Sequence, residues 1–222
     1  MTGSTDKQSS LESPKVYTVG HSNHTLERFI ELLNGAGITA IADVRSVPYS
    51  RFNHQFNREA LSVDLRSAGI AYSFLGKELG ARPNDKKCYR EGRANYSLIA
   101  ATTLFQLGLD RVIEGSRKYR VALMCAEKDP LDCHRTILVG RNLKERGVII
   151  NHIYADGHIE NGDKAEHRLI KITKQEMDDM FSPSETPSDP LKRAYAIREK
   201  EISYAESIGG TREDDEHLAA SM

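Results

Sequence analysis

The stretch that decides the fold is residues 16–44, VYTVGHSNHTLERFIELLNGAGITAIADV. It begins with a short apolar strand, Val16–Val19, turns at Gly20, and continues as a helix from about Thr25 with one apolar face. A second apolar strand, Ile38–Val44, follows. The apolar helix residues recur at the spacing of one helical face, and glycines end that run. This pattern predicts a β-α-β unit.

The same alternation of strand and helix continues to about residue 154. Three further strands are predicted: Ile70–Leu75, Arg120–Met124 and Val148–Tyr154. Asn57 is expected to cap the helix before the first of them. Alternating strands and helices predict an α/β fold of three layers, with a mainly parallel sheet of about five strands flanked by helices. A C-terminal helical extension is expected over Leu191–Ile208.

The composition divides the chain into three parts. Residues 1–14 are polar and are expected to be a disordered lead-in, 15–173 form the α/β domain, and 174–222 form a Pro-rich linker and an acidic helical tail. The formal net charge of −1 hides an asymmetry, since 15–173 carry 24 basic and 18 acidic residues whereas 174–222 carry 6 and 12. A basic body favours an anionic partner.

Several classes of protein are excluded by the sequence. No apolar run approaches the roughly 18–20 residues that a membrane span needs, and the polar N-terminus does not resemble a signal peptide. Three cysteines, an odd number, do not make a disulfide framework. Neither a dinucleotide fingerprint nor a P-loop is present. We therefore expect a cytoplasmic protein that does not associate with membranes.

Polar and ionisable residues follow every predicted strand. In open α/β sheets, ligands bind beyond the carboxyl ends of the strands, so we expect these residues to form one shared site. The turn Gly20–Asn23 follows the first strand, and its glycine allows the backbone to approach a ligand closely. The next helix presents free N–H groups to an anion. The alternative is that Asn23 or Thr25 only caps this helix and His21 is solvated.

The segment after the second strand carries an acid and two arginines. Asp43 ends the strand, and Arg45 and Arg51 follow it. Pro48 keeps the intervening loop extended. Arginine grips phosphate or carboxylate with two hydrogen bonds, so we expect this segment, with Ser46, to hold an anion. The alternative is that Asp43 only pairs with Arg45 or caps a neighbouring loop.

A long polar segment, 76–95, lies inside the domain. The following basic and aromatic residues lie in or beside it: Lys77, Arg82, Lys86, Lys87, Arg90, Arg93, Tyr89 and Tyr96. Loops of this length are often lids or binding loops. Basic residues interleaved with aromatic ones suit a nucleotide or a single strand of nucleic acid. We count Arg90 among the candidate binding residues, and the alternative is a solvated loop.

The strongest local signal is 125–135, CAEKDPLDCHR. Cys125 ends the fourth strand, and Cys133 lies beside His134 and Arg135 in the first turn of a predicted helix. A helix N-terminus and neighbouring cations lower the pKa of a thiol, so each thiol is a candidate nucleophile, metal ligand or packed core residue. The spacing matches no common zinc pattern, and we predict neither a metal nor another cofactor.

Taken together, these motifs resemble the DUF488 family over about residues 15–172. The resemblance rests on Thr18–Asn23, on Asp43–Ser46 with Pro48, Ser50 and Arg51, on Cys125–Pro130 with Cys133–Arg135, and on His152–Ile153 with Asp156–Gly157. The family name denotes a domain of unknown function. The resemblance therefore implies an α/β fold, a shared site and an association with DNA repair, but no reaction. The linker and the acidic helix lie outside it.

From these observations we expect an enzyme that acts by hydrolysis or group transfer on an anionic substrate: a nucleotide, a nucleic acid or a phosphate ester. The candidate catalytic residues are His21, Asp43, Cys125, Cys133 and His134. The candidate substrate-binding residues are Gly20, Ser22, Asn23, Arg45, Ser46, Arg51, Arg90, Glu127 and Arg135.

Two other functions stay open at this point. One is a non-catalytic nucleic-acid or nucleotide-binding module that acts in a larger assembly. The other is a thiol redox or metal-binding protein built on the two cysteines of 125–135. In each case the C-terminal helix offers a surface to a protein partner.

Overall fold

The computed structural model describes residues 13–175 and 189–206 of the 222-residue chain. The strands are β1 Lys15–Gly20, β2 Ala40–Asp43, β3 Ala71–Phe74, β4 Tyr89–Arg90, β5 Arg93–Ala94, β6 Val121–Cys125, β7 Ile149–Ile153 and β8 Ile159–Asn161. The α-helices are α1 Leu26–Gly35, α2 Arg58–Ser67, α3 Gly76–Leu79, α4 Tyr96–Ala100, α5 Thr103–Ser116, α6 Arg141–Glu145, α7 Gly162–Ile172 and α8 Pro190–Ile202.

Six strands form the main sheet, in the order β3-β2-β6-β1-β7-β8. The first five of these run parallel to one another, and β8 is an antiparallel edge strand. The predicted α/β fold with a mainly parallel, helix-flanked sheet is confirmed. The sixth strand was not predicted, because Asp156-Gly157 indicated only a turn; that turn connects β7 to β8.

Both faces of the sheet are buried, which explains why its strands are apolar without alternation. In β1, Val16 packs into one apolar cluster and Tyr17 and Val19 into the other. The second cluster is covered by α1 and α2, through Phe29, Leu33, Leu61 and Leu65. The first is covered by α5 and by the chain around α6, through residues such as Phe105, Leu109 and Leu143. The helices therefore lie on the two sides of the sheet.

The helices differ in detail from the prediction. The helix expected from Tyr96 to about Glu114 is divided into α4 and α5, because the Thr102 side chain accepts a hydrogen bond from Phe105 N and caps a new start. The helix expected from Asp132 begins as a π-helical segment, Arg135–Gly140, before α6. Asn57 precedes α2 as predicted but does not cap it, since its Oδ1 accepts from Ser50 N at 2.7 Å.

The segment 76–95 is not a bare loop but contains α3 and the β4–β5 hairpin. The chain after α8 extends this hairpin, because Ala94 N donates to Tyr204 O and Glu206 N donates to Gly92 O. Helix α8 itself packs on the domain through Ala194 and Tyr195, which are buried. The predicted tail helix is thus joined to the α/β body over the part that is described.

The predicted domain boundaries stay a prediction. The lead-in, the Pro-rich linker and the acidic end fall almost entirely on 1–12, 176–188 and 207–222, outside the described residues. Within 13–175 and 189–206, no helix has both the length and the apolar character that crossing a membrane requires.

Candidate functional site

The site lies at the carboxyl ends of β1, β6 and β2, which are neighbours in the sheet. Backbone hydrogen bonds continue beyond the strands and hold the three loops together. His21 N donates to Cys125 O at 2.9 Å, Ser22 N donates to Ala126 O at 2.9 Å, and Val44 N donates to Met124 O at 3.1 Å. The polar residues that follow these three strands are therefore fixed next to one another, as predicted for parallel strands.

Gly20 allows this close approach. A Cβ at this position would lie 1.9 Å from the carbonyl oxygen of Glu127, so only glycine fits without displacing that loop. Ser22, two residues on, has φ 47°, a left-handed conformation that non-glycine residues rarely adopt. Such strained residues concentrate at functional sites, and Ser22 was among the candidate binding residues.

The first group of side chains is the Asp43 network, which consists of Asp43, Arg45, His21, Tyr72 and Phe56. Arg45 donates from Nε and Nη2 to the two oxygens of Asp43, at 2.9 and 2.7 Å. The same Nη2 also donates to Phe56 O at 2.8 Å, and Tyr72 OH donates to Asp43 Oδ2 at 2.7 Å. The pairing of Asp43 with Arg45, which we kept as the alternative, is present in the structure.

His21 completes the Asp43 network as a neutral ring. Its Nδ1–H donates to Ser22 O at 2.9 Å, and its Nε2 accepts from Arg45 Nη1 at 3.2 Å, since a carbonyl only accepts and a guanidinium only donates. The ring stacks on Phe56 at 4.3 Å between centroids. Burial, and after it the charge of Arg45, lower the pKa of His21 to about 4.

The second group is the thiol cluster, which consists of Cys125, Cys133, His134 and Glu127. His134 Nδ1 lies 3.6 Å from Cys125 Sγ and 3.9 Å from Cys133 Sγ. His134 Nε2–H donates to Val44 O at 2.9 Å, which fixes the orientation of the ring. Both cysteines are buried and unpaired by any disulfide.

Glu127 connects the thiol cluster to solvent. The residue as a whole is exposed. Its Oε2 lies 2.8 Å from Cys133 Sγ and accepts a hydrogen bond from that thiol. Burial of the carboxylate at this contact, and after it the charge of Cys133, raise the pKa of Glu127. A proton that leaves the thiol therefore has an acceptor at the surface.

The two thiols differ in their ionisation. Burial raises the pKa of Cys125 well above its ordinary value, and the hydrogen bond with Cys133 adds to this. Burial opposes ionisation of Cys133 as well, but the hydrogen bond from Cys125 and the charge of Arg135 hold its pKa well below the ordinary value. Burial lowers the pKa of His134, but the charge of Cys133, its hydrogen bond to the ring and the charge of Glu127 together raise that pKa above its ordinary value. Cys133 is therefore the more acidic thiol of the pair.

Arg135 supports the thiol cluster from inside the protein. Its backbone N–H donates to Cys133 Sγ at 3.4 Å, and its guanidinium donates to the carbonyl oxygens of Glu127 and Lys128 at 2.8 and 3.3 Å. The side chain is 0% exposed, and that of Arg45 is nearly as buried. The hydrogen bonds of both arginines described here are made to the protein, so the direct anion contact expected of them stays a prediction.

The other candidate residues lie around the site or away from it. Ser46 Oγ accepts from Arg82 N at 3.0 Å, and Asn23 and Arg51 are exposed on the loops after β1 and β2. Arg90 is exposed on β4, in the separate two-stranded sheet. The structure therefore brings together the predicted residues from β1, β2 and β6, while Arg90 belongs to a different element.

Sequence reasoning missed several residues of the site. Tyr72 donates to Asp43 from strand β3, and the backbone carbonyl of Phe56, in the 3-10 turn His54–Phe56, accepts from Arg45; no sequence motif marks either residue. A rim made of His24, Arg28 and Lys128 was missed too: burial, followed by the charges of Arg28 and Lys128, lowers the pKa of His24, which places all three side chains close together. Spacing along the chain gave no signal of this proximity.

The fold and this site define a three-layer α/β protein with a histidine- and thiol-lined site at the carboxyl ends of parallel strands. The family model described as "Domain of unknown function DUF488" matches residues 25–141, which is more than half of the chain. The chain belongs to the DUF488 family, which confirms the resemblance. The matched segment contains the thiol cluster but ends before α8. Comparisons with curated proteins and with solved structures each gave no match.

Proposed function

We propose that the protein is an enzyme that acts on an anionic substrate by hydrolysis or group transfer. The observation that carries this proposal is the 2.8 Å contact between Glu127 Oε2 and Cys133 Sγ. It joins an exposed carboxylate to the buried sulfur of Cys133, in the segment that follows the central strand β6, which puts a proton acceptor where a bound substrate would meet the thiol cluster. The proposed substrate class is a nucleotide, a nucleic acid or a phosphate ester.

The rim, in which Arg28 and Lys128 are the cations, supports the choice of an anionic substrate. Lys128 is exposed directly after Glu127, and His24 and Arg28 lie beside it at the start of α1. Cations gathered on one side of a cleft attract anions and raise their local concentration. In this proposal His24, Arg28 and Lys128 make the outer contacts with the substrate.

Arg45 and Arg135 act as positioning residues in this proposal. Each holds backbone carbonyl groups in the loops that carry the site: Arg45 that of Phe56, and Arg135 those of Glu127 and Lys128. Alanine at either position would remove these bonds, so loss of activity there would not separate binding from folding. The exposed rim gives the cleaner test.

The test of substrate binding uses Lys128→Ala, with Lys118→Ala as the matched control. Lys118 is an exposed lysine that pairs with Glu114 on α5, before β6 begins and so at the opposite end of that strand. Turnover is measured on p-nitrophenyl phosphate, bis-p-nitrophenyl phosphate, nucleoside triphosphates and single-stranded DNA. We expect Lys128→Ala to raise KM several-fold for the accepted substrate, and Lys118→Ala to leave it unchanged.

The test of chemistry uses Glu127→Gln, with Glu114→Gln as its control. Loss of a proton acceptor lowers kcat by about 10²–10⁴-fold when that group takes part in the reaction. We expect this loss for Glu127→Gln on the substrate that the wild-type protein accepts, and none for Glu114→Gln. No turnover of any of these substrates by the wild-type protein, or equal kcat for wild type and Glu127→Gln, would reject the proposal.

A non-catalytic nucleic-acid-binding module is the second candidate function, and the loop after β2 favours it. Tyr49 and Phe52 are 52% and 65% exposed there, with Arg51 between them. Exposed aromatic rings stack on unpaired bases, and arginine contacts the phosphates. Under this function, Phe52→Ala weakens binding of single-stranded DNA while Glu127→Gln does not, and the affinity falls steeply with salt.

A further inference from the structure

The thiol cluster has the geometry of a metal-binding site. Cys125 Sγ, Cys133 Sγ and His134 Nδ1 all lie within 4.8 Å of one another, with sulfur–nitrogen distances of 3.6 and 3.9 Å. A tetrahedral zinc site, with bonds of about 2.3 Å to sulfur and about 2.0 Å to nitrogen, separates these atoms by about 3.6 Å. We propose that Cys125, Cys133 and His134 bind one zinc-type divalent metal ion.

The surroundings orient the ligand atoms for this role. Because His134 Nε2–H donates to Val44 O at 2.9 Å, Nδ1 is the nitrogen that faces the two sulfurs. A backbone carbonyl on the second ring nitrogen is the usual outer partner of a metal-bound histidine. The N–H of Arg135 points at Cys133 Sγ from 3.4 Å and stabilises a thiolate there. The ring and one sulfur are thus held in place before a metal arrives.

The donor set selects the kind of metal. Two sulfurs and one imidazole nitrogen suit zinc and similar transition metals, whereas magnesium and calcium take oxygen ligands. Metal binding requires deprotonated thiols, so the protons of the two cysteines pass to solvent as the metal binds. The spacing of the cysteines predicted no metal, because the ligands come from a strand end and from the start of a separate helical segment.

Glu127 marks the side on which the fourth ligand would lie. It is exposed, and its Oε2 is 2.8 Å from Cys133 Sγ. Catalytic zinc sites have three protein ligands and a water in the fourth position. A water bound on this side would have Glu127 as the acceptor of its proton. This last step rests on the proposed function, whereas metal binding by the three ligands does not.

The experiment measures zinc in the purified full-length protein. The protein is kept reduced with a phosphine, incubated with Zn²⁺, desalted and assayed by elemental analysis. We expect about one zinc per chain in the wild type and a loss of most of it in Cys133→Ser and His134→Ala, since one of only three ligands is removed. Cys88→Ser is the matched control, because Cys88 is the third buried free cysteine and lies outside the cluster, and we expect it to keep the zinc.

Cobalt gives a readout that does not depend on the variants folding. Co²⁺ bound by thiolates shows a sulfur-to-metal charge-transfer band in the near ultraviolet, which we expect in the wild type and in Cys88→Ser. Absence of both zinc and this band in the wild-type protein overturns the proposal. Full retention of zinc by a folded Cys133→Ser, as judged by circular dichroism, overturns it as well.

The same measurements separate this inference from the proposed function. Zinc bound without turnover of any anionic substrate supports the metal site and rejects the enzyme. Turnover that persists at full rate in zinc-free protein supports the enzyme and rejects a role for the metal in its reaction.

Discussion

The Asp43 network and the thiol cluster lie at the ends of adjacent strands but differ in how their polar atoms are used. In the Asp43 network, both carboxylate oxygens accept hydrogen bonds, and Arg45 donates to Asp43, His21 and Phe56. In the thiol cluster, the shortest contact joins a thiol to a carboxylate, and His134 Nδ1 lies between the two sulfurs at the longer distances of 3.6 and 3.9 Å.

This difference separates a structural role from a chemical one. Buried charges are stable in a protein when each is paired and hydrogen-bonded, as in the Asp43 network. Groups that keep unused lone pairs in a buried place, as in the thiol cluster, have capacity left for a ligand or a reaction. The two histidines follow the same division, because the pKa of His21 is lowered by burial and that of His134 is raised by the charge of Cys133.

The largest expected effect comes from breaking the Asp43 network. Asp43→Asn keeps the shape of the side chain but leaves the buried guanidinium of Arg45 without its counter-charge. Breaking a buried ion pair in this way costs about 3–5 kcal/mol of unfolding free energy. Urea denaturation measures it, and Cys133→Ala in the thiol cluster is expected to cost only about 1 kcal/mol. Equal losses for the two variants would contradict the division of roles.

A smaller effect is expected from forcing the two groups apart. Gly20→Ala would place a Cβ 1.9 Å from Glu127 O and 3.3 Å from Arg135 Nη2, so the loop that carries the thiol cluster must shift. Overpacking of this kind costs about 1–3 kcal/mol, which thermal or urea unfolding would show. Gly35→Ala is the control, since its Cβ meets nothing within 4 Å. If both alanines are tolerated alike, the close approach at Gly20 is not required.

The smallest effect concerns pH and a histidine outside both groups. His152 Nδ1 bonds Thr18 Oγ1 at 2.9 Å, and burial, followed by the charge of Arg135, lowers the pKa of His152 to about 3. The unfolded chain takes up this proton near pH 6.5 and the folded protein does not. The contribution of His152 to the unfolding free energy is therefore fully present above about pH 6.5. It decreases as the pH falls towards 3, by up to about 1.4 kcal/mol per pH unit.

His152→Gln removes this contribution, so its unfolding free energy should fall less than that of the wild type between pH 7 and pH 5. His21, whose pKa is lowered to about 4, keeps part of the dependence in the variant. Urea unfolding at the two pH values gives the comparison. Identical pH dependence in variant and wild type would show that His152 is not held neutral by the fold.

Much of the fold and part of the site were predictable from the sequence. The apolar runs and their periodicity located all five parallel strands, and the ends of parallel strands share one edge, so His21, Asp43 and Cys125 were expected to meet. Strand order was not predictable, because β6 pairs with β1 and β2 through hydrogen bonds that leave no pattern in the chain.

The contacts inside the site were beyond sequence reasoning for a similar reason. Tyr72 reaches Asp43 from the neighbouring strand β3, and Glu127 turns back to meet Cys133. The packing of α8 was missed because only Pro190, Ala194 and Tyr195 of this helix are buried, which is too few to mark a helix as part of the core. Each of these contacts depends on tertiary structure rather than on local pattern.

The place of β6 between β1 and β2 has a consequence for synthesis of the protein on the ribosome. The strands β1 and β2 emerge first but do not pair with each other. The strand that joins them, β6, is made about 100 residues after β1 and about 80 residues after β2. Until β6 emerges, both present unpaired edges that other chains can join. The nascent chain is therefore most prone to aggregate in that interval, and the arrival of β6 joins β1 to β2 and brings Cys125 beside the loops that carry His21 and Asp43.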